Sequence, residues 1–158
     1  MLRPITYKRL KNIALFYLER YDASSFKLKQ VLTRRVQKSA SQGVDVPKDV
    51  SKWIIQVVSE CEQLGYLNDI RYAENQARRL SEQGKSARFI SQKLDLAGID
   101  PQMIQAVLGN YDEYEQAKIF ARKKHLGSDY QKDMAKMARA GFSYEIAKKT
   151  LTKENQDV

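Results

Sequence analysis

Three glycines, Gly65, Gly98 and Gly141, each close a helical run, and each precedes an apolar residue and then an Asx or Ser, in the corners "GYLND", "GID" and "GFS". A helix commonly ends with a glycine in the left-handed conformation, with the next apolar side chain folded back onto the finished turn. Asn68 or Asp69, Asp100 and Ser143 are then the natural N-caps of the helices that follow. Pro101 falls just inside its helix, where its missing N–H costs nothing. The flanking runs carry helical spacing: Ile70, Ala73, Ala77 and Leu80 share one side, as do Ile90, Leu94 and Ala97, and then Tyr130, Met134 and Met137. Strand alternation is nowhere sustained, and seven glycines and three prolines are too few for a turn every ten residues. The chain is expected to be all-α.

The corners also repeat. At a shift of 43 residues "KLDLAGIDPQMIQAVL" overlays "KMARAGFSYEIAKKTL", matching Lys93 with Lys136, Gly98 with Gly141 and Leu108 with Leu151. Upstream, "AENQARR" overlays "AKIFARK", so Ala73, Ala77 and Arg78 match Ala117, Ala121 and Arg122. A weaker copy matches Leu28, Gln30 and Leu32 to Ile90, Gln92 and Leu94 at a shift of 62. Repeats of this length mean stacked supersecondary units. The expected fold is a series of tandem three-helix repeats, about nine helices forming an elongated, curved helical-repeat protein. Its units span 1–67, 68–110 and 111–153, with a flexible tail at 154–158. Within the first unit, the polar stretch punctuated by Gly43 and Pro47 predicts a long loop over 37–51. The helix after it carries Trp53, Ile54, Val57, Val58, Cys61 and Leu64.

Charge bears on partners. The formal net charge is +9, and residues 1–50 hold eleven Lys/Arg against four Asp/Glu, whereas 51–110 is balanced at seven against seven. Such a surplus favours polyanions. Lys132, Lys136 and Arg139 fall at i, i+4 and i+7, away from Met134 and Met137. Lys27, Arg34 and Lys38 form a similar stripe opposite Leu28 and Leu32, and Arg71 and Arg78, continued by Lys85, form a third with Arg88 nearby. Arg78, Arg79, Arg122, Lys123 and Lys124 recur at matched helix positions and are the foremost candidates. A single stripe reads first as a solvated helix face; recurrence in three units shifts the balance toward a binding surface.

Chemistry is absent from the pattern. One His and one Cys make no usual zinc site, and no glycine cluster precedes a Lys-Ser or Lys-Thr as a phosphate loop requires. Cys61 sits among apolar residues as a core thiol, His125 reads as a helix-end residue, and Asp112 with Glu113 suits a helix start. Tyr66 and Tyr72 could stack on bases, though their place at a corner favours packing. No catalytic residue, cofactor or metal is expected. Neither a secretory signal nor a membrane-spanning apolar run is evident, and a single cysteine excludes an internal disulfide, so a cytoplasmic setting is expected.

The corner "GYLNDIRYAENQARRL" resembles the RecX family of bacterial recombination regulators, whose members show Gly-Tyr-Leu-Asp-Asp, two variable residues, Phe or Tyr, then Ala. Gly65, Tyr66, Leu67, Asp69, Tyr72 and Ala73 fit that pattern, and Asn68 replaces an aspartate. "ARAGFSYEIAKKTL" and "ARKKH" resemble the family's third-repeat corner and the helix end before it, and the likeness runs over roughly residues 10 to 151. It implies tandem three-helix repeats, and a protein that binds the RecA recombinase filament and restrains its assembly, ATP hydrolysis and strand exchange. The expected partners are that filament and, through the basic faces, single- or double-stranded DNA, with no membrane, for a protein expected to act as a monomer. Two other readings compete. One is a stand-alone DNA-binding helical protein using residues 86–108, and the other a helical-repeat scaffold for an acidic protein. Against the first, "DPQMIQAVLG" offers glutamines but no arginine.

Overall fold

The computed structural model describes residues 1–154, with side chains through residue 152. Nine helices and no strand occur among the described residues: α1 (Tyr7–Arg20), α2 (Ser25–Ser41), α3 (Val50–Gln63), α4 (Asp69–Glu82), α5 (Ala87–Leu96), α6 (Pro101–Leu108), α7 (Glu113–Lys123), α8 (Tyr130–Arg139) and α9 (Tyr144–Glu154). Of the expected tail 154–158, Glu154 ends α9 and the remaining four positions lie outside the described residues.

The corners form as their residue types require. Gly65 has φ +79°, its N–H bonds to Glu62 O at 3.1 Å, and the Tyr66 N–H bonds to Cys61 O at 3.0 Å. That pair of bonds satisfies two carbonyls that the end of α3 would otherwise leave open. Asn68 then caps α4, its side-chain oxygen accepting from Arg71 N at 3.0 Å. Asp69 serves a different helix: its carboxylate accepts from the Ser25 N–H at 2.7 Å and from the Ser25 hydroxyl at 3.0 Å, at the first turn of α2. Asp100 and Ser143 cap α6 and α9 by accepting from Gln102 N at 2.8 Å and Ile146 N at 3.3 Å.

The chain divides into two compact units, Met1–Tyr72 with Ala97–Ile99, and Ala73–Leu96 with Asp100 onward. In the first, α1, α2 and α3 pack on one another around Leu10, Ala14, Leu28, Leu32, Ile54 and Val57. Tyr7 donates its hydroxyl to Glu60, which also pairs with Lys11 at 2.9 Å, so α1 and α3 are tied by polar as well as apolar contacts. That hydrogen bond pushes the Tyr7 phenol up to about 12, and the same bond, with help from Lys11, holds Glu60 below its ordinary range. In the second unit, α7 and α8 each pack on α9 around Ala117, Met137, Phe142, Ala147 and Leu151, while α5 packs on α6.

One interaction occurs in both units. Ser24, fully buried, accepts from Lys27 N at 3.2 Å as the N-cap of α2 and donates its hydroxyl to Ala97 O at 2.5 Å. Ser86, equally buried, accepts from Phe89 N at 3.1 Å at the start of α5 and donates to Ala140 O at 2.8 Å. Two residues on, Phe26 lies against Gly98 and Arg88 against Gly141. Ser24 and Ser86 are 62 residues apart and Ala97 and Ala140 are 43 apart, the same two shifts that relate the sequence copies.

Several expectations need correction. The loop expected over 37–51 is shorter, because α2 runs to Ser41 and α3 begins at Val50. The buried side Leu28–Leu32–Val36–Ser39 keeps helical spacing through the polar stretch, and only Gly43 ends it. Ile70 is exposed although it shares its spacing with the buried Ala73, Ala77 and Leu80, and Leu64 and Tyr130 are exposed at helix ends. In α8 a carboxylate holds a core position: Asp133 is buried and accepts from the backbone N–H of Gly127 at 2.7 Å and of Asp129 at 3.4 Å.

Gly65 and Gly98 share the left-handed conformation but differ in surroundings. A Cβ on Gly65 would meet nothing within 4 Å, whereas one on Gly98 would overlap the Phe26 Cβ. Gly65→Ala is therefore expected to cost about 1–2 kcal/mol, the backbone strain alone. Gly98→Ala should cost more, since the Phe26 Cβ cannot move without its helix. Thermal melts followed by helical circular dichroism, with equal midpoints for the two variants, would contradict this.

Candidate functional site

The thirteen cations singled out by the sequence all have exposed side chains. Helix geometry explains why: in α4 and α7 the buried alanines Ala73, Ala77, Ala117 and Ala121 fix the inner side. Arg78 and Arg79, like Arg122 and Lys123, follow a buried alanine by one and two positions and so turn outward. Lys132, Lys136 and Arg139 lie on the outer side of α8, opposite buried Met137, and Lys27, Arg34 and Lys38 lie opposite buried Leu28, Leu32 and Val36.

Their partners are mostly neutral. Among the described residues only Lys132 has a carboxylate in reach, Asp129 at 3.6 Å. Arg78 donates to the Asn75 side-chain oxygen at 2.9 Å, Arg79 to that of Gln76 at 2.6 Å, and Arg71 to Gly65 O at 3.4 Å. Lys27 stands 5.5 Å over the Tyr72 ring. Exposed cations without counter-charges keep their full field for an approaching polyanion.

The stripes are less uniform than their spacing implies. Lys85 does not continue Arg71 and Arg78, because α4 ends at Glu82; its ammonium sits 4.9 Å over Phe89 and its carbonyl accepts from the Tyr111 hydroxyl at 2.5 Å. Arg122, Lys123 and Lys124 are consecutive, so they fan around the end of α7 instead of lining one face. There they also meet the negative end of the helix dipole. Arg88 does reach another basic element, its side chain resting on Gly141 just beyond Arg139.

The residues weighed for chemistry fall into place. Cys61 is buried, and desolvation above all pushes its thiol up, away from the thiolate that reactivity requires. Tyr72 is buried, whereas Tyr66 is 58% exposed, so the packing role expected for both holds only for Tyr72. Asp112 caps α7 by accepting from Tyr114 N at 3.0 Å, and burial raises neighbouring Glu113. Helix α6 exposes Gln102 and Gln105 and no cation, unlike a helix that reads base edges with arginine. Among the described residues no three His, Cys, Asp or Glu gather as metal ligands would, and no helix is long and apolar enough to cross a membrane.

With this geometry in view, the likeness to known proteins is extensive. Residues 68–108, from the cap of α4 to the end of α6, match the family description "RecX, second three-helix domain". A protein of Myxococcus xanthus (strain DK1622) named regulatory protein RecX is 35% identical, over 94% of this chain and 87% of its own length. Its namesake in Vibrio vulnificus (strain CMCP6) is 32% identical, over 91% of this chain and 92% of its own. The crystal structure of RecX from Lactobacillus salivarius superposes with a TM-score of 0.73 at 22% identity, covering 96% of this chain and 97% of that one, a likeness of fold.

His125 ends α7 in the position glycine takes elsewhere. Its φ is +52°, its N–H bonds to Arg122 O at 3.2 Å, and the Leu126 N–H bonds to Ala121 O at 2.9 Å. His125→Gly is expected to raise stability by about 1 kcal/mol, since the left-handed strain of an L side chain is relieved while the backbone bonds remain. A lowered melting midpoint would show that the exposed imidazole contributes more than its backbone costs.

Proposed function

The chain belongs to the RecX family, and on that premise we propose that it binds the RecA recombinase filament and mainly inhibits its assembly, ATP hydrolysis and strand exchange, so regulating DNA repair and recombination. It acts by binding and not by catalysis. Its architecture in this reading is three successive three-helix units, 1–67, 68–110 and 111–153, a division supported by the matched caps and by the recurring serine interaction. The observation that carries the reading is the outward cations at matched positions, Arg78 and Arg79 on α4 with Arg122 and Lys123 on α7, none with a carboxylate partner among the described residues. In this reading Lys124, Lys132, Lys136, Arg139 and Arg88, and Lys27, Arg34, Lys38 and Arg71 of the first compact unit, are further exposed cations that serve the same role. A filament of recombinase on DNA presents phosphates and acidic protein patches together, and both reward such a surface in a salt-dependent way. The stand-alone reader finds less support in an α6 whose exposed polar side chains are glutamines.

The test removes Arg122, Lys123 and Lys124 together by alanine substitution. Stability should fall by no more than about 1 kcal/mol, the worth of last-turn cations against a helix dipole. Inhibition of recombinase ATP hydrolysis on single-stranded DNA, titrated at two salt concentrations, should weaken on the order of tenfold at low salt and less at high salt. Equal inhibition by a folded triple variant would return these residues to solvent. Loss of naked-DNA binding with inhibition intact would assign them to DNA alone.

A further inference from the structure

The first compact unit carries a second cationic feature of different chemistry, on the side of α1 turned away from α3. Arg9, Phe16 and Arg20 fall at i, i+7 and i+11, with Tyr17 beside Phe16 and Tyr21 capping the helix. Together with Arg35 of α2 they line an open groove of roughly 580 Å³ that has no Asp or Glu in its wall. Glu19 and Asp22, the nearest acids along the chain, are outside it.

Two properties set the groove apart from an ordinary basic face. Its rings are exposed, Phe16 at 55% and Tyr21 at 58%, and unlike the exposed Tyr66 or Tyr144 they share a wall with several arginines. The rings are also ordered, with Tyr17 and Tyr21 at 5.0 Å between centroids and the Arg20 guanidinium 4.2 Å over Phe16. Arg9 is held by the carbonyls of Arg3 and Pro4, which aims it without neutralising it. Flat faces alternating with guanidinium groups suit a strand whose bases are unstacked and whose phosphates run alongside. Guanidinium planes themselves serve as stacking platforms for bases. Duplex hides its base faces and can use only the charges.

We propose that this α1–α2 groove is a binding site for single-stranded nucleic acid, with bases on Phe16, Tyr21 and the Arg20 plane and phosphates on Arg9 and Arg35. This deepens the nucleic-acid part of the function proposed above and does not depend on the recombinase part. The site shares no residue with the cationic faces of α4, α7 and α8.

Fluorescence anisotropy of a labelled oligo-dT and of a labelled duplex of equal length tests the proposal with the intact protein and no recombinase present. Phe16→Ala with Tyr21→Ala should weaken oligo-dT binding by about tenfold or more, the scale of base stacking on two rings, with little change on duplex. Tyr21→Trp should retain the affinity. Arg35→Gln should lower the salt slope on oligo-dT by about 0.7, the loss of one neutralised phosphate. Unchanged melting of these exposed-site variants confirms that the effect is local. Oligo-dT affinity kept by the aromatic variant but abolished in the Arg122, Lys123 and Lys124 alanine variant would overturn this inference and leave the proposed function standing. Equal weakening on both probes would overturn it too, as would full displacement of oligo-dT by poly-glutamate at matched charge, which would make the groove a site for acidic peptide.

Discussion

Two serine hydroxyls, Ser24 and Ser86, hold the helices in register. Each is an N-cap whose oxygen accepts an N–H of its own helix while its proton goes to a carbonyl at the end of a helix later in the chain, Ala97 or Ala140. A fully buried hydroxyl with both roles filled carries no desolvation penalty that another group must offset. It also fixes direction, because a helix N-terminus meets a carbonyl that its own helix cannot satisfy. The close approach that follows is why Gly98 and Gly141 have no side chain: Phe26 and the Ser86–Arg88 turn stand where their Cβ atoms would be. The corners at Gly98 and Gly141 are thus as much a consequence of the serine interaction as of helix termination.

This dual origin explains what was legible in the sequence. Helix ends are local, so Gly65, Gly98, Gly141, Asn68, Asp100 and Ser143 announced themselves by spacing, and the helical class followed from periodicity. The partners of Ser24, Ser86 and Asp69 lie 73, 54 and 44 residues away along the chain, and no local pattern reveals such pairs. Periodicity also assigns sides without saying how wide the buried side is. Ile70 has the spacing of a core residue, yet it sits in the first turn of α4, where the inner side begins only at Tyr72 and Ala73. Asp133 shows the converse error: it occupies the α8 position that matches Ile90, and its carboxylate is retained there because the amides of Gly127 and Asp129 need an acceptor.

The exposure of the candidate cations was legible in the sequence, but their surroundings were not. Charge and spacing located the cations, and only coordinates revealed that their neighbours are amides, carbonyls and rings instead of carboxylates. That distinction bears on function more than exposure does. A surface ion pair contributes little to stability, so neutralising these residues with nearby Asp or Glu would have been nearly free in energy. Leaving them unpaired keeps self-repulsion in the free protein, a cost that binding to a polyanion relieves.

In the proposed reading, stripe and groove would divide that task by chemistry. A cation on the outer side of α4, α7 or α8 senses phosphate density and cannot distinguish duplex from single strand, since both display phosphates at its surface. Exposed rings sense whether base faces are free, and in this chain those of Phe16 and Tyr21 lie within a wall of arginines. A protein with only the first kind of surface would be held by any DNA in the cell, in proportion to its abundance. Adding the second lets strand state bias where it resides, because stacking adds to affinity only where the bases are unpaired. The rings stand on α1, whose other side is fixed by Leu10, Ala14 and the Tyr7–Glu60–Lys11 network, so in the proposed reading a strand would meet them on a helix already held in place. Less conformational entropy is then given up on binding than a flexible arm carrying the same side chains would give up.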